Sequence, residues 1–301
     1  MSLDGVRVLD LSRLLPGGYC TQLLQAQGAT VTKVESLAGD PIRSLPGGAA
    51  YFEVLHQGKQ LLTLDLHSPS GRQAFLGLVL DADVLVEGFR PGRMERMDLG
   101  YAALAAINPA LVYCAITGYG SSGDMARRAG HDLNYLARSG ALSLMPRHDR
   151  VPAIPGILVA DLAGGLQAAF LIAAALAGRA QTGRGRRVEV SMADLMRSWT
   201  ALPRAAQRAG LIGVSLTGEL PCYHVYSVAD GFLTVAALES AFWAEFCHAI
   251  DRDDLTGRQF DPAAIEAVQA TLGGASRAEW AARFGDRDVC VEPVFSLEET
   301  R

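Results

Sequence analysis

Short apolar runs alternate with segments of helical period along the first 120 residues. Val6–Leu11 reads as a strand, and Pro16-Gly-Gly opens a helix that runs through Leu24 and stops near Gly28. Thr30–Glu35, rich in β-branched residues, predicts a second strand. Leu61–Leu66 predicts a third, followed by a helix capped by Ser68 or Ser70 and running to about Leu80. Val84–Val86 and Leu111–Ile116 complete the set. Strands this apolar, spaced by helices, belong in a parallel sheet covered on both faces. The region therefore predicts a doubly wound α/β unit with a mostly parallel sheet.

The pattern then changes. Asp161–Ala177 predicts a long, nearly all-apolar helix, buried on most sides and ended by a polar break from Gly178. A helix is expected from Met192 to about Ala209. Tyr223–Val228 and Phe232–Ala236 flank the turn Ala229-Asp-Gly and predict a hairpin. Helices are expected near 242–250, 263–272 and 277–284, with a last strand at 289–295. The shift near residue 215 divides the chain into a large α/β domain, 1–214, and a smaller α+β domain, 215–301.

Composition narrows the function. The chain has 301 residues, half of them apolar, and a formal charge of −5. That is ordinary globular material, and a mildly acidic total argues against nucleic acid as the partner. The first residues carry acid where a leader needs positive charge. The apolar helix is interrupted by Asp161, Gly164, Gly165 and Gln167, so no membrane association is expected. Five scattered cysteines without CxxC spacing predict a reduced, cytoplasmic protein with neither disulfide frame nor zinc site.

Candidate chemistry gathers in the second half of the large domain. Gly118-Tyr-Gly-Ser-Ser-Gly123 has the G-x-G-x-x-G spacing, but it does not open a helix in a first βα unit, so dinucleotide binding lacks its context. Gly130-His131-Asp132 precedes a short helix, where Asp132 serves equally as an N-cap and His131 reads as structural or catalytic. Asp161 begins the apolar helix as an N-cap, or as a carboxylate whose pKa rises beside apolar surface. Gly164 and Gly165 would leave amides uncovered near it, where developing negative charge is stabilised. Acid, histidine and bare amides together suit proton abstraction next to a carbonyl. Arg43, Lys59, Arg90, Arg93 and Arg96 fall in loops after strands, which fits either solvated faces or a phosphate-rich ligand.

These residues carry a resemblance. Leu3–Ser12, Gly28–Glu35 with Gly39-Asp40 and Arg43, Val86–Arg96 with Leu99-Gly-Tyr101, and the glycine loop at 118–123 resemble the family III coenzyme A transferases. Within that family the likeness is to its α-methylacyl-CoA racemase branch. It continues through Val159-Ala-Asp161, Tyr226–Gly231, Ala237-Leu-Glu239 and Asp288–Val294. Asp124 stands where the family usually has Pro, and Ser240 follows Glu239 where Pro is common. The resemblance implies Asp161 as the catalytic carboxylate. In transferases that residue takes up the acyl group; in racemases it works with the histidine of a Gly-His-Asp motif, here His131. Glu239 matches a racemase glutamate near that histidine, and is otherwise a helix-start acid favoured by the dipole. Arg43, Lys59, Arg90 and Arg96 are implied at the nucleotide end of an acyl-CoA thioester. No metal or redox cofactor is required, coenzyme A being part of the substrate. A homodimer, interlocked in the family's manner, is implied, although relatives continue beyond the Pro-Val segment with a stretch that returns to the large domain.

Overall fold

The computed structural model describes residues 1–210 and 216–300. In chain order, β1 (Arg7–Asp10) leads into α1 (Leu14–Ala26), β2 (Thr30–Glu35), α2 (Gly48–His56) and β3 (Gln60–Thr63). Then come α3 (Pro69–Leu80), β4 (Val84–Glu87), α4 (Tyr101–Ile107), β5 (Val112–Thr117) and α5 (Asp132–Ser139). A short hairpin, β6 (Arg147–His148) and β7 (Val151–Pro152), precedes α6 (Val159–Thr182), β8 (Arg187–Ser191), α7 (Met192–Trp199) and α8 (Ala201–Arg208). The remainder is β9 (Tyr223–Val228), β10 (Gly231–Ala236), α9 (Ser240–Ala249), α10 (Ile265–Leu272), α11 (Arg277–Phe284) and β11 (Val291–Pro293).

Two compact units result: Met1–Ser143 with Ile154–Thr200, and Leu144–Ala153 with Ala201–Arg301. The boundary expected between 214 and 215 lies outside the described residues. The helix expected from Met192 to Ala209 is instead two, broken at Thr200. Pro203 explains the break, because proline is tolerated in a helix's first turn and clashes with the carbonyl four residues back in its interior.

In the first unit six parallel strands lie in the order β3-β2-β1-β4-β5-β8. The chain runs outward from β1 to β3, then crosses back to β4, so the order reverses between β1 and β4. Alternation along the strands fills both faces. Val8, Val84, Val86, Cys114 and Ile116 pack beneath α1 and α6. Leu9, Leu85, Tyr113 and Ala115 meet Phe75 and Val79 of α3 and Leu104 of α4.

Helix α6 departs from expectation on one side. Ala160, Ala163, Ala168, Ile172 and Ala175 form its buried stripe at helical spacing. Leu166 and Phe170 on the other side are 53% and 64% exposed. Among the described residues it is the one helix whose length and composition would suffice to cross a bilayer; here its small residues pack it on the sheet. Gly165 allows the closest approach, since a Cβ there would lie 2.5 Å from the carbonyl oxygen of Pro16 in α1.

In the second unit β9 and β10 pair antiparallel with Val228 opposite Gly231, the expected hairpin, and β11 pairs with β10. Trp243, Phe246, Val268 and Trp280 build its core. Both indoles keep their N–H satisfied, on Leu255 O at 3.1 Å and Leu272 O at 2.9 Å.

Candidate active site

The reversal of strand order opens a crevice beyond the carboxyl ends of β1, β4 and β5, the usual ligand position in open α/β sheets. A cavity of about 260 Å³ occupies it. Arg13 and Leu14 follow β1 into its wall, Gly88–Pro91 follow β4, and Thr117-Gly118 follow β5. Asp161 and His131, expected to act together, both line this cavity. The amino-terminal ends of α1 and α5 open onto it through Pro16, Gly17, Gly130 and His131. A smaller cavity of about 90 Å³ lies at the ends of β1, β2 and β3, and shares Arg13 and Phe89 with the first.

One carboxylate registers the acid against the histidine. His131 is the N-cap of α5, and Asp132 begins the helix itself, so Asp132 is not the local cap that the sequence suggests. Instead Asp132 Oδ1 accepts the N–H groups of Ala160 at 2.6 Å and Asp161 at 3.1 Å, capping α6 from 28 residues away. Helix α6 therefore starts at Val159, and Asp161 stands inside its first turn rather than at its cap. Asp161 is 9% exposed. Burial, and then the charge of Asp132, push its carboxyl up to about 7. At that value the group divides between its two forms at neutral pH.

Tyr135 braces the same loop. Its hydroxyl donates to Gly130 O at 2.5 Å, and its ring meets Tyr119 edge-on at 5.2 Å. A Cβ on Gly118 or Gly130 would come within 2.6 or 2.8 Å of that ring. The first glycine of the G-x-G-x-x-G stretch thus makes room for an aromatic side chain. The loop runs on to α5 without opening a helix of its own, as the missing dinucleotide context anticipates.

Arginines supply the positive field. Arg13, Arg90 and Arg128 line the larger cavity, and Arg93 the smaller. The guanidinium groups of Arg13 and Arg93 sit over the Phe89 ring at 4.9 and 5.3 Å. Partial burial, then the like charges of Arg93 and Arg90 set against the acids Asp40 and Glu87, lowers the Arg13 pKa. Such crowding is relieved by a bound polyanion. Glu87 fixes the loop that carries Phe89: it accepts Phe89 N–H at 2.7 Å and the Tyr113 hydroxyl at 3.2 Å.

Other expected site residues do not line the larger cavity. Lys59 is drawn inward: its ammonium donates to Gly18 O at 2.9 Å and Thr21 Oγ1 at 2.7 Å and pairs with Asp10 at 3.4 Å. Its charge is satisfied inside the fold, not offered to a phosphate. Arg43 pairs with Glu35 at 3.3 Å, covers the Phe52 ring, and lies beside Gly39 at the smaller cavity. Arg96 is exposed and lines neither cavity. Gly164 and Gly165 are not bare amides. They stand past the first turn of α6, where a Cβ on Gly164 would meet Met192 Cγ at 2.7 Å and one on Gly165 would strike α1. They are close-packing glycines. Glu239 belongs to the second unit, exposed at the N-cap of α9.

Sequence reasoning did not single out Arg13, Arg128 or Tyr135 for the site. The available signal was position: Arg13 directly follows a strand's carboxyl end and precedes Pro16-Gly-Gly, where phosphate-bearing ligands collect.

A switch-point crevice, ringed by arginines and holding a perturbed acid with a histidine, defines an α/β enzyme for an anionic substrate. The chain belongs to CoA-transferase family III, whose family model matches residues 3–301. It is 35% identical to the α-methylacyl-CoA racemase of Homo sapiens over 99% of this chain and 79% of that protein. It is 36% identical to the succinyl-CoA:mesaconate CoA-transferase of Haloarcula marismortui, over 93% of this chain and 74% of that one. Among solved structures, a CaiB/BaiF family protein from Brucella suis superposes with a TM-score of 0.87 at 30% identity, covering 99% of this chain and 85% of its own.

Proposed function

We propose that the protein interconverts configuration at the α-carbon of a 2-methylacyl-CoA thioester. The observation that carries this reading is that Asp161 and His131 line the same cavity, with the carboxyl held at about 7. One member of the pair takes the α-proton while the C–H electrons pass into the thioester enolate. The other, protonated at the outset, delivers its proton to the opposite face. A turnover leaves the proton on the other member, so each group must serve as acid in one direction and base in the reverse. A carboxyl near neutrality is suited to both.

Acid–base transfer contributes about 10²–10⁴ in rate per group, so the enolate oxygen needs its own stabilisation. With Gly164 and Gly165 inside a helix, that role passes to the positive ends of α1 and α5. Arg13, Arg90 and Arg93 suit the coenzyme's phosphates, Arg13 and Arg93 clamping on Phe89. Glu239 is the third residue assigned to the reaction, on the family resemblance alone. The same reading has the enzyme as a cytoplasmic homodimer that needs no metal or redox group, since proton transfer requires only acid, base and enolate stabilisation.

The test is incubation with a branched acyl-CoA in deuterated buffer. Racemisation predicts α-deuterium exchange without an acceptor acid. Acyl transfer to a carboxylic acid, with an adduct trapped on Asp161 and no exchange, would establish the transferase instead. Tight binding with neither reaction would leave a CoA-ester binding protein.

A further inference from the structure

The link from β1 to α1 is held in an unfavourable shape. Leu14 has φ +62°, a left-handed conformation that a branched side chain disfavours. Its N–H donates to Asp40 Oδ1 at 3.1 Å, and the same oxygen accepts Ile42 N–H at 3.0 Å. The other carboxylate oxygen of Asp40 lies 3.0 Å from Lys33 Nζ, and both side chains are shut off from water. Lys33 also donates to the carbonyl of Ser12. Asp10, last residue of β1, accepts the Ser12 N–H at 2.9 Å and its hydroxyl at 2.5 Å. Ser12 and Leu14, the neighbours of Arg13 on either side, are thus both tied to buried charge. Arg13 is the exposed residue between them, and it belongs to the walls of both cavities.

We propose that Asp40 is a positioning residue: from the loop after β2 it locks the left-handed turn at Leu14, and the lock aims the Arg13 guanidinium at an anionic group of the coenzyme shared by the two cavities. The inference rests on the reading of these cavities as a coenzyme A site. A stacked pair of guanidinium groups on Phe89 has a fixed place for a phosphate only if the backbone of Arg13 cannot rotate. Freed from Asp40, Leu14 relaxes to negative φ and carries the Arg13 peptide with it. Lys33 makes the lock stiff, because its buried ammonium, shared among Asp40, Asp10 and the Ser12 carbonyl, orients the carboxylate.

The test is titration calorimetry of the purified chain with isobutyryl-CoA, which reads binding whatever reaction follows. Arg13→Ala weakens affinity by about 10- to 100-fold, the range of one lost charge-assisted hydrogen bond. The double variant Asp40→Ala/Lys33→Met, which strands no buried charge, weakens it by about tenfold. Adding Leu14→Gly to that variant recovers most of the loss, since glycine takes the left-handed shape unaided. In the Arg13→Ala background the Asp40 and Lys33 changes cost nothing further, because contacts acting in series are not additive. An equal loss in both backgrounds, or no loss in either, overturns the role of Asp40. Unchanged affinity in Arg13→Ala overturns the coenzyme reading of the cavity, and this inference with it.

Discussion

Two buried aspartates in the first unit face opposite fates. Asp10 is 0% exposed and Asp161 9%. Burial alone would raise both pKa values. At Asp10 the ammonium groups of Lys33 and Lys59 and the hydroxyls of Ser12 and Thr21 overcome that penalty and hold the carboxyl below its ordinary range. At Asp161 burial is joined by the like charge of Asp132, so the carboxyl rises to about 7. What separates these two aspartates is therefore not depth but company. Burial acts on the bases of the cluster too: it brings Lys59 down to about 8 against the pull of Asp10, and His56, with the Lys59 and Lys33 ammonium groups adding to burial, to about 3.

The contrast is sharpest in activity. Asp161→Asn and His131→Ala should each lower α-deuterium exchange by about 10²–10⁴-fold while leaving acyl-CoA affinity within a few-fold, as exchange and calorimetry would show. Full exchange in either variant would dissolve the pair. Asp10→Ala should do the reverse. It leaves chemistry aside and costs about 3–5 kcal/mol in denaturant unfolding, because two ammonium groups lose a buried counter-charge.

The pH response separates the two acids further. Asp161 binds its proton more tightly folded, at about 7, than unfolded, near 3.8. Ionising it therefore costs the fold stability that is intact below pH 4 and lost progressively as pH rises to about 7. Asp161→Asn should escape that loss and gain up to about 4 kcal/mol over the parent at pH 8 relative to pH 4. Asp10, lowered when folded, predicts the opposite trend: its contribution is present above pH 4 and lost as pH falls. Exchange rates should also split, rising through pH 7 in the direction where Asp161 is the base and falling where it is the acid.

The smallest expected effects concern the glycines beside Asp161. Gly165→Ala should cost about 1–3 kcal/mol, since its Cβ meets backbone of α1 that cannot yield. Gly164→Ala should cost less, because the obstacle is a flexible methionine. Exchange per folded molecule should hardly change in either; a large loss would return these amides to the reaction.

Local chemistry was legible where it sufficed. Thr30–Glu35, Tyr223–Val228 and Arg277–Phe284 carry their ends in adjacent β-branched, turn and capping residues, and the sequence reading of each matches its bounds. Asp161 stood out as a polar group at the start of an apolar helix, and His131 through the Gly-His-Asp motif of the family resemblance. Distance along the chain hid the rest. The cap of α6 comes from Asp132, so nothing next to Asp161 could reveal that the helix begins two residues earlier. Lys59 looked like a loop cation because its partner Asp10 is 49 residues away. Gly164 and Gly165 looked bare because the helices they touch arrive from elsewhere in the fold.

The carboxylate of Asp132 has one more consequence. Its residue follows His131 directly in the chain, and it is hydrogen-bonded to the backbone of the acid, so the two helix starts are tied together. The starts of α5 and α6, at residues 130–132 and 159–161, are consequently held in one register. A designer moving this chemistry into a different scaffold would have to transplant Asp132 along with both helix starts, since grafting the two reactive side chains without their common tether would deliver the ingredients and lose the spacing.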